Sequence, residues 1–326
     1  MPRTSLLAEQ QPVAELSQEL RGAGVAEQDR ARTLRLIDGR ILAWQAFGHP
    51  LGRPLYFFHG FPSCRLLAAL VHEAAVASGI ALIAPDRPGF GQSTLQAGRS
   101  IVGWVDDVRQ LARHLGHSRF GVLGVSCGGP YALACAQAIP DRLTYVGLMA
   151  GIGPMDDRDI RAQQAWPLRT LFGLARVHPL LAAPLLLGDT WMFRTNPRKA
   201  LAALAPLLSA PDRFLLATNR DVNTRFQASF VEAYRQGIGG ARWEAKLIAR
   251  LDGGMLRTID LPVHVYQGGL DRHVPPAMGR HIAEALPGGQ LHFYPDEGHL
   301  SILVNRFSEC AVHFNNQWMR QPARRT

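Results

Sequence analysis

Lysine is nearly missing from this sequence: of 35 basic residues only Lys199 and Lys246 are lysines, and arginine supplies the rest of a formal net charge of +9. The arginines are dispersed, with one local group at Arg320, Arg324 and Arg325. No zinc-finger spacing, aromatic RNA-binding signature or basic helix accompanies them. Scattered charge bears on solubility and association rather than on fold, so nucleic acid is not an expected partner. The cysteines are few (Cys64, Cys127, Cys135 and Cys310) and unpaired in spacing. That excludes a small disulfide scaffold or a cysteine-based metal site, and reduced thiols in the cytoplasm are expected. Long apolar runs are lacking too. The most apolar stretch, Leu171 to Leu187, is broken by Arg176, His178, Pro179 and Pro184, so neither a membrane span nor a signal peptide is expected. The chain shows no internal repeat and no low-complexity segment.

What is present is enough apolar material, 47% of 326 residues, for one large core or a core with a satellite. Residues 1–30 are polar and alanine-rich and read as an N-terminal extension. Two alternating segments, Thr33 to Asp38 and Ile41 to Phe47, flank Gly39-Arg40 and suggest an edge hairpin. Short β-rich runs follow at Leu55 to Phe58, Ile80 to Ala84, Phe120 to Val125, Tyr145 to Met149, Val263 to Tyr266 and Leu291 to Tyr294. Helical patterns separate them at Leu66 to Ser78, Ile101 to Leu115, Tyr131 to Ile139, Ala277 to Leu286 and Leu300 to Trp318. Strand and helix alternating in this way is the pattern of a doubly wound, mostly parallel α/β sheet. The alternation stops over residues 153–256, where helical periodicity continues without strands. A structureless loop of that length is improbable. The expected organisation is therefore a core of residues 31–152 and 257–320 with a helical cap inserted between its halves.

Gly124-Val125-Ser126-Cys127-Gly128 has the G-x-S-x-G form of a nucleophile elbow, with a strand run before it and a helix pattern after it. A serine on so tight a turn needs small neighbours, which the motif glycines Gly124 and Gly128 supply. Serine is a poor nucleophile until a histidine takes its proton, and the histidine needs a carboxylate to fix its tautomer. Of twelve histidines, His299 lies in the loop between the last strand and the last helix, at the carboxyl edge where open α/β sheets place their sites. His264 and His292 sit inside strands, where a packed or surface role is expected, and His273 competes from a position next to the acid candidate Asp271. Asp271 follows the strand at Val263 to Tyr266 and reaches the same edge. Asp296 and Glu297, close to His299 in sequence, read as solvated loop residues. Acyl transfer also needs donors for an oxyanion. The loop His59-Gly60-Phe61-Pro62 and the residue after the serine are the expected sources, through the backbone N–H groups of Phe61 and Cys127.

Taken in order, HGFP, DRPGFGQS at Asp86 to Ser93, GVSCGG, QGGLDRHVP and EGHLS make the chain resemble the α/β-hydrolase superfamily over roughly residues 33–318, in its single-domain bacterial form with a helical cap. The resemblance implies an eight-stranded, mostly parallel sheet, a triad of Ser126, His299 and Asp271, and a structural role for the Asp86 to Ser93 turn. It differs from many members in carrying Cys127 beside the nucleophile. Dehalogenases and epoxide hydrolases of the superfamily use aspartate at the elbow, which Ser126 argues against. The expected activity is hydrolysis of small or medium carboxylic esters through an acyl-enzyme, with no metal or organic cofactor and a small, apolar substrate as partner. Carbon–carbon bond hydrolysis, proline iminopeptidase activity, acyl transfer, perhydrolysis and a non-catalytic ligand-binding role remain alternatives. The peptidase would need inward-facing carboxylates, for which Asp189, Asp221 and Glu232 are available. Seven cap aromatics, Trp166, Phe172, Trp191, Phe193, Phe226, Phe230 and Trp243, are expected mostly in the core of the cap, with nearby arginines free to meet an acidic group.

Overall fold

In the computed structural model, which describes residues 31–320, the β-rich runs form one sheet. The extension expected over residues 1–30 lies outside the described residues. The strands are β1 (Arg32–Arg35), β2 (Ile41–Gly48), β3 (Arg53–Phe58), β4 (Ile80–Pro85), β5 (Phe120–Val125), β6 (Leu143–Met149), β7 (Val263–Gly268) and β8 (Gly289–Tyr294). They lie in the order β1-β2-β4-β3-β5-β6-β7-β8. The hairpin pairs Arg35 with Ile41, β2 runs antiparallel to β4, and every later pairing is parallel. The central strands β4, β5, β6 and β7 are buried at every position, the signature of a sheet covered on both faces. Edge strand β8 alternates instead between half-buried and exposed positions.

Helices α1 (His72–Ala77), α2 (Trp104–His114) and α3 (Gly129–Ala138) cross between the early strands. The region read as one helix from Leu66 is a 3₁₀ segment, Arg65–Val71, running into α1, and the helix expected from Ile101 begins three residues later, at Trp104. From β6 the chain enters seven helices: α4 (Arg158–Ala162), α5 (Trp166–Val177), α6 (Ala183–Thr195), α7 (Pro197–Leu204), α8 (Ala210–Thr218), α9 (Arg220–Ala233) and α10 (Gly239–Ala249). Helices α11 (Pro276–Ala285) and α12 (Ser301–Arg320) complete the core. None of the described helices is long and apolar enough to cross a membrane.

After β3 the chain builds to one side through β4, and then returns to build β5 on the other side of β3. That reversal opens a crevice beyond the carboxyl ends of β3 and β5, the place where sheets of this kind accept ligands. Two buried ion networks join the helical insertion to it. Glu244 of α10 binds Arg87 at 2.9 Å and also pairs with Arg99, while Glu232 of α9 binds Arg65, which in turn holds Asp86. The Asp86 to Ser93 turn is thus structural, as its sequence suggested. Arg87 is fully buried and donates to the carbonyls of both His59 and Gly60.

Candidate active site

Ser126 closes β5 with φ of +54°, one of two non-glycine residues among those described with positive φ. A left-handed conformation at an L-residue costs about 1–2 kcal/mol, and the surroundings enforce it. A Cβ at Gly128 would lie 2.1 Å from the Phe58 carbonyl oxygen, and one at Gly124 would lie 2.5 Å from the Gly128 carbonyl oxygen. The two motif glycines therefore let strand, turn and helix α3 approach closely enough to hold the serine at the turn. Gly60 plays the matching part in the facing loop, where an added Cβ would sit 3.2 Å from that of Ser126.

Two other loops converge on this turn from the carboxyl ends of β7 and β8. Asp271 is buried, and its Oδ1 accepts from the backbone N–H groups of His273 (2.8 Å) and Val274 (2.9 Å), leaving Oδ2 to bind His299 Nδ1 at 2.7 Å. Burial alone would lower the His299 pKa. The charge and hydrogen bond of Asp271 outweigh it, with Asp212 adding to them, so the pKa lies above the ordinary histidine value. Among the described residues the Ser126 hydroxyl makes no hydrogen bond to His299. It contacts the Cys127 thiol instead, and both side chains open on one cavity. Bonds of this type commonly tighten only with substrate in place. Burial pushes the Cys127 thiol up to about 12, so it is not a competing nucleophile.

Phe61, in the loop after β3, and Cys127, the second residue of the turn into α3, both line the cavity on which Ser126 opens. The Phe61 N–H has no acceptor among the described residues. That of Cys127 is one of the first N–H groups of a helical turn, which lack intrahelical acceptors. The Arg87 guanidinium holds the carbonyls of this loop from behind and His59 donates to Gly60 O at 2.9 Å, so the loop is fixed before any substrate arrives.

Asp212, which drew no attention in the sequence, is fully buried on α8 and accepts from the backbone N–H groups of His299 (3.1 Å), Leu300 (2.9 Å) and Ser301 (2.8 Å), and from the Ser209 hydroxyl (2.7 Å). A residue of the insertion thereby satisfies the open N-terminus of α12 and sets the backbone that carries His299. Ser209-x-x-Asp212 has the spacing of a helix cap, and that local reading hides the long-range one. Asp212→Ala would leave three backbone N–H groups and the Ser209 hydroxyl without their acceptor. A loss of about 2–4 kcal/mol in unfolding free energy is expected, and less for Asp212→Asn, which keeps one acceptor oxygen. Urea titration of the two variants checks this.

Other expectations need correction. Glu297 is not solvated: it is buried and accepts from Asn305 and Arg306 on the first turns of α12, while Asp296 is exposed. Five of the seven aromatics, Trp166, Phe172, Trp191, Phe226 and Phe230, line the cavity, Phe172 and Phe226 while also packed against the core. Phe193 stacks on Phe230, and Trp243 donates to Arg99 O. No arginine or lysine is among the described residues lining the cavity. Of the three insertion carboxylates only Asp189 faces it; Asp221 pairs with Arg225 and Glu232 with Arg65. The cavity holds about 600 Å³, room for a ligand of drug-like size.

Among the described residues, two groups each bring three metal-ligating side chains together. In Asp271, His273 and His299, the carboxylate is already engaged by the imidazole and two amides. Burial, then the neighbouring His299, lowers the His273 pKa to about 4. In His264, His292 and His313, His264 Nδ1 faces His292 Nε2 at 3.0 Å with the rings 9° apart. His313 Nδ1 lies 2.7 Å from the Tyr266 hydroxyl and Gln317 Nε2 lies 2.7 Å from His264 Nε2, so the three rings are tied into a hydrogen-bonded stack. His264 and His292 pack as their strand positions suggested.

Comparison with known proteins agrees with the architecture. The family profile described as alpha/beta hydrolase fold matches residues 53–306. An uncharacterized hydrolase of Bacillus subtilis is 24% identical over 288 residues, covering 84% of this chain and 93% of its own. The 2-hydroxymuconate semialdehyde hydrolase of Pseudomonas putida is 27% identical over 238 residues, covering 72% and 76%. The solved structure of an esterase from Exiguobacterium antarcticum superposes with a TM-score of 0.68 at 18% identity, over 88% of this chain and all (100%) of the other. With its eight-stranded sheet, its left-handed serine turn and a profile match across most of its length, the chain belongs to the alpha/beta hydrolase fold family.

Proposed function

We propose that this protein is a serine hydrolase of neutral carboxylic esters, in which Ser126 is the nucleophile, His299 the base, Asp271 the acid that orients it, and the helices between β6 and β7 act as a cap. The observation that carries this reading is the 2.7 Å Asp271–His299 pair opening on the same cavity as a serine held at φ of +54°. In the first step Ser126 Oγ attacks the ester carbonyl as its proton passes to His299 Nε2. The carbonyl electron pair moves onto oxygen, where the N–H groups of Phe61 and Cys127 receive it. Collapse of this intermediate expels the alcohol, protonated by His299, and leaves an acyl-enzyme. Water, deprotonated by the same imidazole, then releases the carboxylic acid and restores Ser126.

The lining favours a neutral, apolar substrate, because leucines and aromatics dominate it and the described residues supply no arginine or lysine there to meet a carboxylate. The similarity to a 2-hydroxymuconate semialdehyde hydrolase supports a second reading, hydrolysis of a compound of that kind on the same residues. A lining without arginine or lysine among the described residues weighs against an anionic substrate. Rates on a p-nitrophenyl ester series, followed against pH, test the proposal. His299 must be neutral to act as base, so kcat/KM is expected to fall as pH drops through its pKa. Because Asp271 raises that pKa, the midpoint of the acid limb should lie above the ordinary histidine value of about 6.5. A limb below that value would contradict the assigned pair.

A further inference from the structure

The two carboxylates in the cavity wall differ in a way that points to a ligand. Asp212 is saturated by four donors. Asp189 receives one hydrogen bond, from the Tyr234 hydroxyl to its Oδ2 at 2.5 Å. No arginine, lysine or histidine pairs with it among the described residues, and its Oδ1 has no partner. Asp189 is half-buried, desolvation raises its pKa, and its free oxygen is left open to a donor in the cavity.

Local structure does not explain the residue either. Gly188 and Asp189 sit in the middle of α6 between Leu185-Leu186-Leu187 and Trp191-Met192. Both are poor helix formers, together worth about 1–2 kcal/mol against alanine. No packing demands the glycine, since a Cβ at Gly188 would meet nothing within 4 Å. Both residues face the cavity, so the missing side chain leaves open space beside the unpartnered oxygen. Tyr234, buried and also part of the cavity wall, fixes the carboxylate orientation through its hydroxyl.

We infer that Asp189 Oδ1 is a specificity-determining acceptor on the cap side of the cavity, and that the preferred substrate is an apolar ester bearing a hydrogen-bond donor, a hydroxyl or a protonated amine, remote from the scissile carbonyl. This rests on the ester-hydrolase reading and narrows it. The donor would take the free lone pairs of Oδ1, while the leucines and aromatics of the same wall hold the chain between donor and carbonyl. Chain length is then selected twice, by fit and by reach to Asp189.

The test uses p-nitrophenyl esters of straight-chain acids from butanoate to dodecanoate, each beside its ω-hydroxy and ω-amino counterpart, on the wild type, Asp189→Asn and Asp189→Leu. At one or two chain lengths the donor-bearing ester is expected to exceed its methyl-ended counterpart by about tenfold or more in kcat/KM, the weight of one hydrogen bond to a charged group. Asp189→Leu should bring that ratio to one or below. Asp189→Asn should keep a preference for the hydroxyl and lose that for the amine if the amine is held as a cation. Hydrolysis of methyl-ended esters with no donor preference at any length overturns the inference and leaves the hydrolase reading standing. Absence of turnover on every ester overturns both.

Discussion

Replacing Ser126 by alanine is expected to lower kcat on p-nitrophenyl esters by about 10⁶-fold, the scale on which loss of a triad nucleophile acts when oxyanion donors and binding survive. Steady-state and single-turnover assays would measure it. The fold should persist, because the Ser126 side chain supports nothing beyond its contact with Cys127, and the turn is enforced by the close approach of β5, α3 and the loop after β3. Glycine at the same position separates catalysis from stability. With φ at +54°, Ser126→Gly removes the cost of a left-handed L-residue, and thermal unfolding should show a gain of about 1 kcal/mol alongside the same loss of activity. Strain of this kind is kept at a site because the chemistry uses it.

Asp271→Asn has the second large expected effect, about 10⁴-fold in kcat. The amide can be satisfied at the position of Oδ2 only by presenting N–H to His299 Nδ1, or by accepting with its own oxygen while the N–H groups of His273 and Val274 lose their acceptor. The first arrangement leaves the proton on Nε2, which then cannot accept from Ser126. The second frees the loop. The substitution also removes the charge that raises the His299 pKa, so the acid limb should move to lower pH as kcat falls. A drop in activity with an unmoved limb would place Asp271 in a purely structural role.

The elements that sequence reading located share one property: their signals are local. Six parallel strands, the serine turn and the loops carrying Asp271 and His299 are written in short patterns of apolar runs, glycines and chain order, and each lies where those patterns put it. What could not be read is set by contacts between distant segments. Asp212 meets the His299 amide across 87 residues, and its capping position in α8 gave no sign of a second set of donors. Glu297 is buried only because α12 begins beside it. The aromatics of the insertion divide between cavity and core according to how seven short helices lean together. Weak periodicity in segments such as α6, polar in its middle and apolar on several sides, does not reveal which side faces the serine. That no described arginine lines the cavity is likewise a tertiary fact in a chain so rich in it.

The assignment of Ser126 as an activated nucleophile is open to one direct measurement: labelling of the purified protein with a fluorophosphonate probe, followed by peptide mapping, beside Ser126→Ala. Phosphonylation of the wild type on Ser126 at neutral pH, falling away as the pH drops below the His299 transition and absent from the alanine variant, is the expected result. A folded wild type that takes no label, or one whose label persists in Ser126→Ala, would contradict the assignment.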